Sequence, residues 1–256
     1  MSVTSIDVPL VLLHAFPLSA AMWRHQVSGL ADLCPVFAVD QRGFGTARDV
    51  SLEGVTPSLD VVADDLAGYL DERGLNQVVL GGLSMGGYVA MAFLRRHPDR
   101  VRGLILADTK ATADTPEAAR DRLRIAEAIE REGDTESLAA TMLPRLLGAS
   151  TRNERPDVVD WVTTEIRGAA PAAVAWAQRA MAARPDSLET LAAADVPALV
   201  LVGEEDETTG IGEARTMVEV LPRAELRQIP RAGHLSAVEA PEEFNAAVRD
   251  FLTRLR

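Results

Sequence analysis

The sequence predicts an α/β domain built on a doubly wound, mostly parallel sheet of about six strands. Three observations carry this. Short apolar runs alternate with amphipathic helical patterns along most of the chain. The runs are continuous rather than alternating apolar and polar, as expected where helices cover both faces of a parallel sheet. A chain of 256 residues with 47% apolar content also holds enough material for one large core.

The first strand is expected at residues 8–14, followed by a helical run over 20–30. A second strand spans 36–40, and a helix over 59–73 stops at Gly74, the usual residue just past a helix end. The third strand, 78–83, leads straight into a helix over 85–96 that closes before His97-Pro98. A fourth strand covers 101–107. From 111 to 185 the alternation fails, and helical segments follow one another with no convincing strand between them. Thr115-Pro116 opens one that Gly133 ends, and Thr135 opens another that Gly148 ends. Pro156 and Pro171 each stand where a first helical turn begins. Strands over 198–203 and 224–229 resume the pattern. A last helix follows Pro241, with Glu242 and Glu243 in its first turn, where negative charge is favoured. The organisation is a core of residues 1–110 and 186–256, interrupted by a helical insertion at 111–185 before the last two strands. Ligands of open α/β sheets bind at the carboxyl ends of the strands, where this insertion begins. It is therefore expected to cap a pocket.

Composition narrows the chemistry. A formal net charge of −12 argues against a nucleic-acid partner, which needs a basic face. Cys34 stands alone, so neither an intrachain disulfide nor a cysteine zinc cluster can form. The longest apolar run, near residues 8–16, is interrupted by His14 and is too short to span a bilayer. Residues 1–9 lack the basic and apolar regions of a secretory signal, so a cytoplasmic protein without a membrane partner is expected.

The segment Gly82-Leu83-Ser84-Met85-Gly86-Gly87 lies where the third strand meets its helix. A serine between glycines at such a sharp turn presents its hydroxyl at the carboxyl edge of the sheet. That hydroxyl is a weak nucleophile and needs an adjacent base. Of the four histidines, His25 and His97 fall in or at the end of helices, and His14 ends the first strand. His234, in the loop Pro230-Arg231-Ala232-Gly233-His234 after the last strand, is the candidate base. A carboxylate must orient it, and two strand ends offer one. Asp206 follows Leu199-Val200-Leu201-Val202-Gly203 within the acidic run 204–207, and Asp108 follows Leu104-Ile105-Leu106-Ala107. Spacing does not separate them. For a developing oxyanion, the backbone N–H groups of Met85 and Phe16 are the expected donors, since Pro17 has none. Trp23, Trp161, Trp176 and Met85 are candidates for an apolar pocket lining. Arg120, Arg124, Arg145 and Arg152 are candidates for receiving a substrate carboxylate.

Together these motifs resemble the α/β-hydrolase family, in its esterase, enol-lactonase and cofactor-free haloperoxidase/perhydrolase group. The likeness rests on His14-Ala15-Phe16-Pro17-Leu18 before Met22-Trp23, on Asp40-Gln41-Arg42-Gly43-Phe44-Gly45, and on the Ser84 segment. It rests further on Gly203-Glu204-Glu205-Asp206 and on Gly233-His234. The resemblance implies a serine hydrolase of carboxylic esters or lactones with no metal or organic cofactor and a small-molecule partner. It favours Asp206 over Asp108 as the acid and makes His14, Asp40 and Arg42 supports of the oxyanion loop. Perhydrolase chemistry, carbon–carbon hydrolysis and a non-catalytic ligand-binding role are the alternatives it implies. Two departures are visible. Ala15 stands where the family usually has glycine, and the family's N-terminal hairpin is reduced, leaving a sheet edge that a homo-oligomer would cover.

Overall fold

The computed structural model describes residues 8–255. Six strands form one sheet: β1 (Leu10–Leu13), β2 (Val36–Val39), β3 (Val78–Leu83), β4 (Val101–Ala107), β5 (Ala198–Gly203) and β6 (Ala224–Ile229). Every pairing is parallel, in the order β2-β1-β3-β4-β5-β6. The central strands β1, β3 and β5 are buried along their whole length, which explains their uninterrupted apolar sequences. The chain leaves β1 for β2 on one side, then returns to place β3 on the other. This reversal opens a crevice at the carboxyl ends of β1 and β3, the position where open α/β sheets bind ligands. Leu13 pairs with Gly82 across it, so residue 14 and Ser84 leave the sheet side by side.

Helices cover the sheet in two layers. One holds α1 (Arg24–Gly29), α11 (Ser236–Glu239) and α12 (Pro241–Arg254), which contact one another. The other joins α2 (Leu59–Glu72), α3 (Met85–Arg96), α9 (Leu188–Ala192) and α10 (Ile211–Val220). Between β4 and β5 the chain runs through α4 (Pro116–Glu132), α5 (Glu136–Leu146), α6 (Ala149–Glu154), α7 (Pro156–Gly168) and α8 (Pro171–Ala182). The side chain of Thr115 caps α4 by accepting from the Ala118 amide at 3.2 Å, and Gly133 closes it in the left-handed conformation. Helix α4 lies along α8, and α5 along α7.

The differences from expectation have local causes. The run at 20–30 divides into a 3-10 turn, Ala20–Trp23, and α1. The turn is set by Ser19 Oγ, which accepts from the Ala21 amide, and by Asp40, which accepts from the Ala20 amide at 2.7 Å. The first strand is shorter than expected because pairing stops at Leu13, where the chain turns into the loop 14–17. Helices α6, α9, α10 and α11 were not foreseen; three of them have six residues or fewer, and α10 buries only Ala214 and Met217. The reduced N-terminal hairpin concerns residues 1–7, which lie outside the described residues.

Candidate active site

Ser84 sits at the N-cap position of α3 with φ 54° and ψ −112°, a conformation that a non-glycine residue adopts only under constraint. The constraint is close approach. A Cβ on Gly82 would lie 2.1 Å from the Gly86 carbonyl oxygen, and one on Gly86 would lie 2.2 Å from that of Leu13. Hydrogen bonds then fix the turn: the Ser84 amide donates to Ala107 O at 3.0 Å, and Thr109 Oγ1 donates to Ser84 O at 2.8 Å. Ser84 Oγ does not cap its own helix. It lies 2.8 Å from His234 Nε2 instead.

His234 is buried in the loop after β6, and its Nδ1 lies 2.9 Å from Asp206 Oδ2. Asp206 Oδ1 accepts from the amides of Thr208 and Thr209 at 2.7 and 3.0 Å, while Thr209 Oγ1 donates to Oδ2 at 2.9 Å. Burial alone would raise the Asp206 carboxyl. The bond and charge of His234 and the two threonine amides outweigh it and hold the group below the usual carboxylate range. Asp108 takes a different position. It is fully buried at φ 44°, accepts from Gly203 N at 2.8 Å and from Ser236 N at 3.2 Å, and has no histidine partner. Burial, together with the charge of Asp206, pushes its carboxyl well above the normal range. Of the two strand-end acids, Asp206 alone meets His234.

The loop after β1 is held by His14 and Gln41. His14 Nε2 accepts from the Gln41 amide at 3.0 Å, and Gln41 Nε2 donates to His14 O at 2.7 Å. His14 is therefore neutral with its hydrogen on Nδ1, directed at Ala15 O at 3.0 Å. Desolvation lowers the imidazole to about 4. Ala15 is accommodated in full burial, its amide 3.2 Å from Met22 Sδ. Asp40 holds Ala20 and Thr46, but Arg42 turns away to pair with Asp65 of α2 at 2.6 Å. Among the described residues, the amides of Phe16 and Met85 donate to no protein acceptor, and Phe16 lines the cavity beside Ser84.

That cavity, of about 380 Å³, lies between Ser84 and helices α4, α5 and α8. None of Trp23, Trp161, Trp176 or Met85 lines it: Trp23 stacks on Phe244, Trp161 on Arg24, and Trp176 donates to Val55 O. Arg145 is at its lining. Arg120 is not, Arg124 pairs with Asp121, and Arg152 donates to Pro144 O. Sequence reasoning missed Tyr88, Arg122 and Gln178 in the lining, and it missed Glu239. Buried Glu239 accepts from Gly148 N, Gly233 N and Leu235 N at 2.8, 3.0 and 3.1 Å, gripping the His234 loop from both sides. Burial raises its carboxyl despite these bonds. Among the described residues no group of three or more His, Cys, Asp or Glu side chains is placed to hold a metal ion. No described helix is long and apolar enough to cross a membrane.

Comparison with known proteins places this arrangement. The profile of the alpha/beta hydrolase fold matches residues 8–241. The chain belongs to the α/β-hydrolase family. A thermophilic esterase from Thermogutta terrifontis, solved with malate bound, superposes with a TM-score of 0.93 and 42% identity, covering 98% of this chain and 92% of that one. The enol-lactonase of Burkholderia xenovorans LB400 superposes at 0.87 with 27% identity, covering 97% and 92%. The 3-oxoadipate enol-lactonase 2 of Acinetobacter baylyi is 25% identical over 96% of this chain and 88% of its own length.

Proposed function

We propose that this α/β-hydrolase is a serine hydrolase that cleaves a carboxylic ester or lactone through an acyl-enzyme. The observation that carries the reading is the continuous line Ser84 Oγ, His234 Nε2, His234 Nδ1, Asp206 Oδ2, with contacts of 2.8 and 2.9 Å. With Asp206 ionised, His234 keeps its hydrogen on Nδ1, and Nε2 is free to take the Ser84 proton. Ser84 Oγ then adds to the substrate carbonyl. The oxyanion that forms is received by the amides of Met85 and Phe16, the first at the positive end of α3. Protonated His234 returns its proton to the leaving alkoxide, and a water activated by the same imidazole releases the acid. Helices α4, α5 and α8 line the cavity and act as a cap that shapes it.

Esterases and enol-lactonases among the similar proteins support the ester or lactone substrate. The test is direct. The purified chain is expected to react with a fluorophosphonate at Ser84 and to turn over short p-nitrophenyl esters. Ser84→Ala is expected to lower kcat by roughly 10⁶-fold. A Ser84→Ala variant with undiminished turnover overturns the mechanism.

A further inference from the structure

The cavity beside Ser84 has an uneven lining. Much of it is apolar, from Ile125 and Ile129 of α4 and Leu138 and Met142 of α5. Set into this are three polar side chains with hydrogen-bonding capacity to spare. Tyr88 lies one helical turn past Ser84, its amide bonded to Ser84 O at 3.2 Å, so the two are separated by about 6 Å of helix rise. Its ring is clamped by the Arg184 guanidinium, 4.0 Å from the ring centre. The residue is 6% exposed, yet its hydroxyl has no partner among the described residues. Arg122 bonds Asp114 through Nε and Gln178 Oε1 through Nη1 at 3.1 Å, which leaves Nη2 unused. Because Gln178 Oε1 accepts from Arg122, the side chain's remaining group is its NH₂, and that too has no partner.

All three groups can donate, the Arg122 and Gln178 nitrogens as donors only and the Tyr88 hydroxyl as a donor that can also accept. Donor groups gathered on one wall of a cavity suit a ligand that presents acceptors to them. The charge around it says which kind. Asp114 is the acid paired with Arg122, but it is shared with Arg184 at 2.9 Å and Lys110 at 3.3 Å. Three cations face one carboxylate there. Asp121, also at the cavity, is turned to Arg124 on the exposed side.

We propose that Tyr88, Arg122 and Gln178 form a carboxylate subsite, so that the substrates preferred are esters or lactones whose far end carries a free carboxylate. The apolar lining of α4 and α5 holds the hydrocarbon between the two ends. This rests on the serine-hydrolase reading for the chemistry, but the subsite itself is defined by donors that take no part in it.

The experiment compares monoethyl esters of succinic, glutaric, adipic and pimelic acids with the matching neutral diethyl esters. For at least one chain length kcat/KM for the half-ester is expected to exceed that for the diester by roughly 10- to 100-fold, the range of a hydrogen bond to a charged group. Arg122→Gln is expected to bring that ratio to about one, chiefly through KM, and Tyr88→Phe to lower it several-fold. A merely structural lesion slows both esters and leaves the ratio alone. A wild-type ratio at or below one, or a ratio unchanged in both variants, overturns the proposal. Calorimetric titration of Ser84→Ala with the four dicarboxylates supplies a readout that needs no turnover. Binding that is lost in Ser84→Ala/Arg122→Gln supports the subsite, and no binding of any dicarboxylate refutes it. If wild type neither hydrolyses esters nor reacts with a fluorophosphonate while the dicarboxylates bind, the failure lies with the serine-hydrolase reading.

Discussion

Asp206→Asn isolates the task of the carboxylate from its shape. The asparagine oxygen can still accept from the Thr208 and Thr209 amides, now at 2.7 and 3.0 Å, so the loop should fold unchanged. Its NH₂ then takes the place of Oδ2, the atom 2.9 Å from both His234 Nδ1 and Thr209 Oγ1. A donor at that point makes His234 Nδ1 an acceptor and moves the ring hydrogen to Nε2. Nε2 would then face Ser84 Oγ, 2.8 Å away, as a donor and could not remove its proton. The expected loss is about 10⁴-fold in kcat, which corresponds to about 5.5 kcal/mol in the barrier. The assay is kcat on a p-nitrophenyl ester, with the fluorophosphonate labelling rate as a second measure and thermal unfolding as a check on the fold. A well-folded variant that keeps kcat within about tenfold of wild type refutes the tautomer argument. If Asp108→Asn instead gave the larger loss, the acid would be misassigned.

Two further outcomes follow from buried groups. Desolvation holds His14 at about 4, against about 6.5 in an unfolded chain, so the unfolded state binds the extra proton between those values. Stability is expected to fall as pH drops through that window, by about 2 kcal/mol at pH 5. The urea midpoint of His14→Phe should change less between pH 7 and 5 than that of wild type, and equal slopes would count against the assignment. Glu239→Gln would turn an NH₂ group toward at least one of the amides of Gly148, Gly233 and Leu235. It should cost about 1–3 kcal/mol and lower kcat by loosening the His234 loop; an unchanged melting temperature and rate would contradict that.

What the sequence disclosed has a physical pattern. Four of the six strands, those starting at Val78, Val101, Ala198 and Ala224, begin and end where their residues suggest. Two of these, β3 and β5, are continuous apolar runs buried along their whole length, and β4 departs from that only at the exposed Arg102. Ser84 was legible because its turn demands glycine at fixed offsets, and His234 because it follows the last strand. Spacing does not separate Asp206 from Asp108, since both end a strand, and the family resemblance is what favours Asp206. Only the tertiary arrangement shows one meeting His234 and the other tying Gly203 to Ser236. Glu239, Gln178 and Arg122 carry no local signal at all. Each lies in a helical stretch and would read as a solvated face; Glu239 and Gln178 are buried and Arg122 half-buried, each against a partner from a distant segment. The tryptophans misled for the converse reason: a large apolar side chain in a helix packs inward wherever space allows, whether or not that space is a pocket.

The strand order has a consequence for how the molecule comes into being. Ser84 and His234 are 150 residues apart in the chain, and eight helices, α3 to α10, and three strands, β4 to β6, lie between them. Ser84 and the first four strands are synthesised before Asp206 and His234, the proposed acid and base. Domains generally fold as units, so on the proposed mechanism the nascent chain carries an inert hydroxyl until the segment that bears His234 has been made. The loop that carries His234 follows β6, the edge strand of the sheet, so the proposed base is the last part of the site to be made. On the proposed mechanism, a chain cut short before His234 would keep most of the fold's mass and lose its general base.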